Sequence, residues 1–185
     1  MGSTIPAFQG SDTIRNVTIR RGEPRDGAVL ADLARSTFYD TFAATNDATD
    51  MALHLQRAYG VNQQTAELQD PGITTLLVEQ DGVAIAYAQI RDDHVPGCVT
   101  GPAPVELWRF YVHRDWHGRG VAQALMNHVK AEARQRGAQT LWLGVWERND
   151  RARAFYAKCG FADVGEHIFL FGTDPQTDRV MSTAL

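Results

Sequence analysis

Apolar residues recur along this chain at two different periods, and the switch between them marks out its elements. Runs dense in apolar and β-branched residues predict strands at 17–21, 73–79, 83–90 and 105–112. The second and third are joined across Asp81-Gly82, a strong hairpin signal. Residues 140–146 are nearly all apolar and predict a strand buried on both faces. The last strands are expected at 161–171 and 179–185. Helical spacing appears at 27–42, where Val29, Leu30, Leu33, Thr37 and Phe38 fall near one face. It returns at 120–136, where Val121, Leu125, Val129 and Ala133 are spaced by four and Gly137 offers the positive φ of a C-terminal cap. Two short helices are expected at 51–59 and 62–68, after a capping-rich loop that includes Asn46. A further helix, capped by Asn149 or Asp150, runs to Cys159 and stops at Gly160. Pro96, Pro102 and Pro104 make 92–104 a mobile loop.

This order predicts an α/β (α+β) domain over 17–185, behind a polar N-terminal tail of residues 1–16 expected to be flexible. The strands on either side of the 120–136 helix should be parallel neighbours joined by a right-handed crossover.

Composition narrows the class. The chain has 185 residues, 44% apolar and 22% charged, with a net charge of −4, so bulk electrostatics give no support to nucleic-acid binding. The charges are unevenly spread: from Asp40 to Glu106 ten acidic residues face two basic ones, and from Leu107 to Gly160 ten basic face four acidic. One part of the fold is thereby suited to a cation and the other to an anion, although a merely solvated surface gives the same counts. Two cysteines without a motif, no apolar run long enough to span a membrane and no secretory leader make a reduced cytoplasmic protein the expectation. His113 and His117 bracket a loop with no third ligand in view, so no metal site is expected.

The chemistry concentrates in Val112-His113-Arg114-Asp115-Trp116-His117-Gly118-Arg119-Gly120-Val121-Ala122. It reads as a strand end, a glycine loop and a helix start, which aims backbone N–H groups and a positive helix dipole at one spot suited to phosphate. A P-loop would need Lys-Ser/Thr after the last glycine, and a dinucleotide fingerprint a third glycine; both are missing. A plain glycine turn before a helix remains the bland alternative.

This run resembles motif A of the GNAT superfamily of acyl-CoA-dependent N-acetyltransferases, Gln/Arg-x-x-Gly-x-Gly/Ala after a strand ending in Tyr-Val. Here the strand ends Phe110-Tyr111-Val112, Gly120 and Ala122 fill the small positions, and His117 stands where Gln or Arg is usual. Asn149-Asp150-Arg151-Ala152-Arg153-Ala154-Phe155-Tyr156 with Gly160-Phe161 resembles motif B. Trp142 to Asn149, Gln176-Thr177-Asp178 with Met181, and Thr41-Phe42 with Asn46 and Met51 are similar to the bacterial PaiA-type spermidine/spermine N-acetyltransferases.

The resemblance implies the GNAT fold, a mixed twisted sheet of six to seven strands flanked by helices. It implies acetyl-CoA as donor, held by Phe110, Tyr111, Val112, His117, Gly118, Arg119, Gly120, Val121, Ala122, Asn149 and Tyr156. It further implies that a backbone N–H near Phe110 to Val112 stabilises the thioester oxyanion and that Tyr156 protonates the leaving thiolate. Tyr156 as a buried aromatic, and Asn149 as a helix cap rather than a pantetheine contact, stay open beside those roles. The implied acceptor is a small amine such as a polyamine. The alternatives are a protein N-terminus, a lysine, an antibiotic amine, or a non-catalytic acyl-CoA-binding module. Whether the chain forms a homodimer stays open.

An alkyl amine is neutral in only about one part in a few thousand at pH 7, a deficit of ~4–5 kcal/mol that a base must offset. Glu106 is the acidic residue best placed by sequence for that role; its bland alternative is an ion pair with Arg109 or Arg148. Glu147 is the rival base or an acceptor ligand, and Trp146 and Phe42 are candidates to line an amine site.

Overall fold

The structure is a computed structural model that describes residues 17–185; the expected tail at 1–16 lies outside the described residues. Seven strands form one sheet in the order β1-β2-β3-β4-β5-β7-β6. They are β1 (Val17–Arg21), β2 (Ile73–Gln80), β3 (Val83–Arg91), β4 (Pro104–Val112), β5 (Thr140–Trp146), β6 (Ala162–Phe171) and β7 (Asp174–Ala184). Five helices flank it: α1 (Gly27–Phe42), α2 (Ala48–Ala58), α3 (Val61–Gln69), α4 (Val121–Gln135) and α5 (Asp150–Lys158). No described helix is long and apolar enough to cross a membrane.

Strand alternation sorts the core into two layers. Leu76, Val78, Ala86 and Ala88 point to the face covered by Leu125 and Val129 of α4. Leu77, Tyr87 and Tyr111 point to the opposite face, under Leu30, Leu33 and Phe38 of α1 and Met51 of α2. On α1 the buried residues run Leu30, Leu33, Ala34, Thr37, Phe38; Val29 falls off that stripe and is 49% exposed.

The Asp81-Gly82 turn has φ of 50° and 81°, the pair of positive values that a two-residue hairpin demands. β4 and β5 are parallel and α4 lies between them in sequence, as the crossover requires. Two expectations need correction. The 92–104 segment is docked rather than free: Val95, Cys98 and Val99 pack on Trp142 and Val180, and the Thr140 hydroxyl donates to Pro102 O at 2.9 Å. β7 also begins at Asp174, five residues before the predicted start. Pro175 hid it, yet residues 174–177 pair only with β6, so the missing N–H faces no β5 partner. β6 is left as an outer strand, with Ile168 69% and Leu170 61% exposed.

Candidate active site

β4 and β5 pair only over Pro104–Glu106 and Thr140–Trp142. Beyond that, β4 stays with β3 as far as Val112 and β5 stays with β7 as far as Trp146. The two strands part, and a cleft of about 720 Å³ opens between them. The His113 N–H bonds to Ile85 O of β3 at 2.8 Å, so by alternation Val112 and Phe110 turn their N–H and C=O toward the gap. His117 reaches back from the loop, its Nε2 2.8 Å from Val112 O, so its side chain as well as its backbone shapes this end.

At the glycine-loop end, Gly118 and Gly120 have φ of 74° and 82°. A Cβ on Gly118 would meet nothing within 4 Å, so the glycine is there for its backbone and not for space. The first intrahelical bond of α4 is Ala124 N–H to Gly120 O, at 3.0 Å. The N–H groups of Val121, Ala122 and Gln123 therefore stand free of the helix ladder. α2 is capped by the Asp47 carboxylate and α5 by Asn149, but α4 starts on a glycine and has no acidic residue in its first turn. Nothing at this helix end competes with an incoming anion.

The other expected donor residues divide. Phe110, Tyr111 and Val112 of β4 line the cleft, as do His117, Gly118, Gly120 and Ala122 of the loop and α4. Asn149 and Tyr156 join them from α5. Val121 instead points into the core, and the Arg119 guanidinium lies over the Trp116 ring at 5.2 Å. Asn149 acts as the α5 cap, accepting from Ala152 N–H at 3.1 Å. Tyr156 meets Phe110 and Phe161 edge-on, and burial pushes its phenol well above the usual range.

The far end is aromatic. His54 of α2 stacks on Phe38 and Phe171 at 4.5 and 5.2 Å. Burial, with Arg109 nearby, lowers its pKa to about 4, so the ring is neutral at pH 7. Phe42 meets Trp146 edge-on at 6.1 Å, bringing both expected acceptor aromatics into the wall. Glu106 also lines the cleft, but its partner is neither Arg109 nor Arg148: Arg91 Nε donates to it at 2.5 Å. Burial raises the Glu106 pKa and Arg91 opposes the rise. Arg109 is held by Glu67 and Gln89, and Arg148 lies 6.0 Å over Trp146. Glu147 is exposed and turns to a separate polar hollow of about 200 Å³ with Arg148 and Asp174, outside the main cleft.

His54 and Arg91 were not among the expected site residues, and neither were two residues that face each other across the β6–β7 pair. His167 of β6 and Asp178 of β7 stand opposite each other, with His167 Nε2 3.8 Å from Asp178 Oδ2. Asp178 entered only through the PaiA-type likeness, and a lone histidine in a strand carries no pattern. Only the hairpin register unites them.

The sequence profile of the acetyltransferase (GNAT) family matches residues 31–161. An uncharacterized N-acetyltransferase of Lactobacillus delbrueckii subsp. lactis is 32% identical over 153 residues, 83% of this chain and 88% of the relative. The aminoglycoside N(6')-acetyltransferase type 1 of Stenotrophomonas maltophilia is 27% identical over 155 residues, 82% and 90% of the two chains. In fold the chain is similar to the PaiA N-acetyltransferase of Thermoplasma acidophilum, solved with coenzyme A, at a TM-score of 0.77 and 18% identity, covering 92% of this chain and all of that one. The family profile covers the cleft's glycine loop and both of its motifs, and with it the chain belongs to the GNAT family of N-acetyltransferases.

Proposed function

We propose that the protein transfers the acetyl group of acetyl-CoA to a primary amine of a small cationic acceptor, by direct attack in a ternary complex. The observation that carries this reading is one cleft with unlike ends: free helix N–H groups at α4, and aromatics with Glu106 and Asp178 opposite them. Pyrophosphate suits the first, an alkylammonium the second. Between them the open N–H groups of Phe110 and Val112 suit the oxyanion of the tetrahedral intermediate, a contribution of roughly 3–4 kcal/mol for one preorganised donor. Among the described residues no serine or cysteine lines the cleft, which supports attack by the amine itself.

A polyamine is the favoured acceptor. The aromatic and carboxylate lining supports it, as does the sequence resemblance to the PaiA-type enzymes. An aminoglycoside amine is the second reading, favoured by the Stenotrophomonas maltophilia relative. Thiol release from acetyl-CoA, followed across a panel of spermidine, spermine, aminoglycosides and peptide amines, tests both. Fastest release with a polyamine is expected. Release only with an aminoglycoside replaces the acceptor, and tight coenzyme A binding with no release from any amine overturns the catalytic reading.

Tyr156 is proposed as the group that protonates the departing thiolate. Its raised pKa keeps the phenol protonated throughout an ordinary assay range. A thiolate leaves with little help, so Tyr156→Phe is expected to lower turnover by about 10-fold, short of the ~10²–10⁴ typical of a general acid. Coenzyme A affinity should hardly change. Unaltered turnover would reduce Tyr156 to packing against Phe110 and Phe161.

A further inference from the structure

The acceptor end holds a second acid–base pair besides Glu106. β5, β7 and β6 lie side by side, and Trp146, Asp178 and His167 occupy one row across them. A histidine on the outermost strand reaches the cleft only if the strands between it and the gap leave room. Gly144 of β5 provides that room. A Cβ there would stand 2.9 Å from His167 Nε2 and 3.3 Å from both His167 Cε1 and Asp178 Oδ2. Any side chain at position 144 would occupy the place the imidazole takes.

His167 also has a carboxylate beside it. Its Nε2 stands 3.8 Å from Asp178 Oδ2, an ion-pair distance that becomes an attraction when the ring is protonated. Glu106 is in the opposite condition, buried and engaged by Arg91, which also pairs with Asp93. A proton arriving on Glu106 would leave Arg91 with one carboxylate fewer.

We propose that His167, paired with Asp178, takes the proton from the attacking amine. This rests on the acetyl-transfer reading above and assigns a base within it. The ammonium of the acceptor gives one proton to the neutral His167 imidazole, freeing the nitrogen lone pair. That nitrogen forms the C–N bond at the thioester carbonyl and the C–S bond breaks. The second amine proton leaves as the amide forms and is matched by the proton taken up by the thiolate, so one proton is released overall.

The charged groups facing the ring are Asp178 from β7 and Glu106 from β4, with Arg91 of β3 behind Glu106; β5 offers only Gly144. Asp178 first and Glu106 after it raise the His167 pKa above 6.5, against the effect of burial. The base acts when unprotonated, so kcat/KM should climb with pH through that raised value.

The experiment pairs kinetics with an imidazole titration by NMR. In the wild type the His167 resonance should titrate above pH 6.5 and coincide with the acid limb of kcat/KM. Asp178→Asn should move both to lower pH. His167→Gln should cut turnover at pH 7 by ~10²–10⁴-fold, abolish that limb and leave coenzyme A affinity intact. Gly144→Ala, which keeps both partners but displaces the ring, should also lower turnover. Wild-type rates and pH profile in His167→Gln would overturn the proposal and return the role to Glu106. A His167 resonance unmoved by Asp178→Asn would overturn the pairing. Failure of the underlying acetyl-transfer reading is seen separately, as a wild type that releases no thiol with any amine, and it removes this inference too.

Discussion

A glutamate at position 120 is expected to weaken coenzyme A binding by about 10³-fold. Two effects act together. Gly120 has a φ of 82°, a left-handed conformation that costs a residue with a Cβ roughly 1–2 kcal/mol. The larger effect is charge. A carboxylate at the start of α4 would take the free N–H groups that follow it and repel the pyrophosphate. At ~4 Å and an effective dielectric near ~20, such repulsion is ~4 kcal/mol, or about 10³-fold. Asparagine separates the two terms, since it tolerates the left-handed conformation without a charge. Gly120→Asn should therefore lose far less affinity than Gly120→Glu. Calorimetric titration with coenzyme A, beside a circular dichroism check of folding, reads the difference. Near-native affinity in the glutamate variant would move the donor away from this loop.

The second large effect concerns stability. Beneath the acceptor end, Glu67 of α3 accepts from Arg109 at 2.5 Å, Gln89 at 3.1 Å and Gln63 at 3.0 Å. The Arg109 and Glu67 side chains are only 7% and 4% exposed, and the guanidinium packs on Trp108 at 3.7 Å. Removing one partner strands the other charge out of water. Glu67→Ala is therefore expected to cost ~3–5 kcal/mol. For a chain of this size each kcal/mol lowers Tm by ~2–4 °C, so a fall of about 10 °C should appear in differential scanning calorimetry. Replacing both, as Glu67→Leu with Arg109→Met, should recover most of the loss, because no charge is then left buried. A loss in the double variant equal to that in Glu67→Ala would mean that packing, not the stranded charge, sets the cost.

The donor half of the cleft was legible because its parts are contiguous and rest on backbone. A strand end, two glycines with positive φ and a helix start leave a local trace, and the Asn149–Phe161 segment does the same. The acceptor half leaves none. Phe42, His54, Arg91, Glu106, His167 and Asp178 come from six separate elements, brought together only by strand register and by α1 and α2 folding over the sheet. Glu106 could be named from its place before the loop, but its partner could not, since Arg91 and Glu106 meet only through β3–β4 pairing. His167 and Asp178 lie beyond residue 161, where the family profile ends. The β7 start was missed for a related reason: Pro175 breaks a strand in general but not on a stretch with one unpaired side.

Three register pairs hold β4 to β5 before they part, and that short seam has a consequence for how this protein can change. The cleft opens where β4 and β5 part, and its walls run on into the hydrophobic core. Its outline is thus inherited with the fold and is costly to alter. The side chains at its far end come from separate elements, and two pairs of them, Arg91 with Glu106 and His167 with Asp178, are coupled by charge. Of the six far-end residues, Glu106 alone lies in that seam, opposite Trp142, so it is the one whose exchange would alter the chemistry of the cleft and the join of the two halves of the sheet at once.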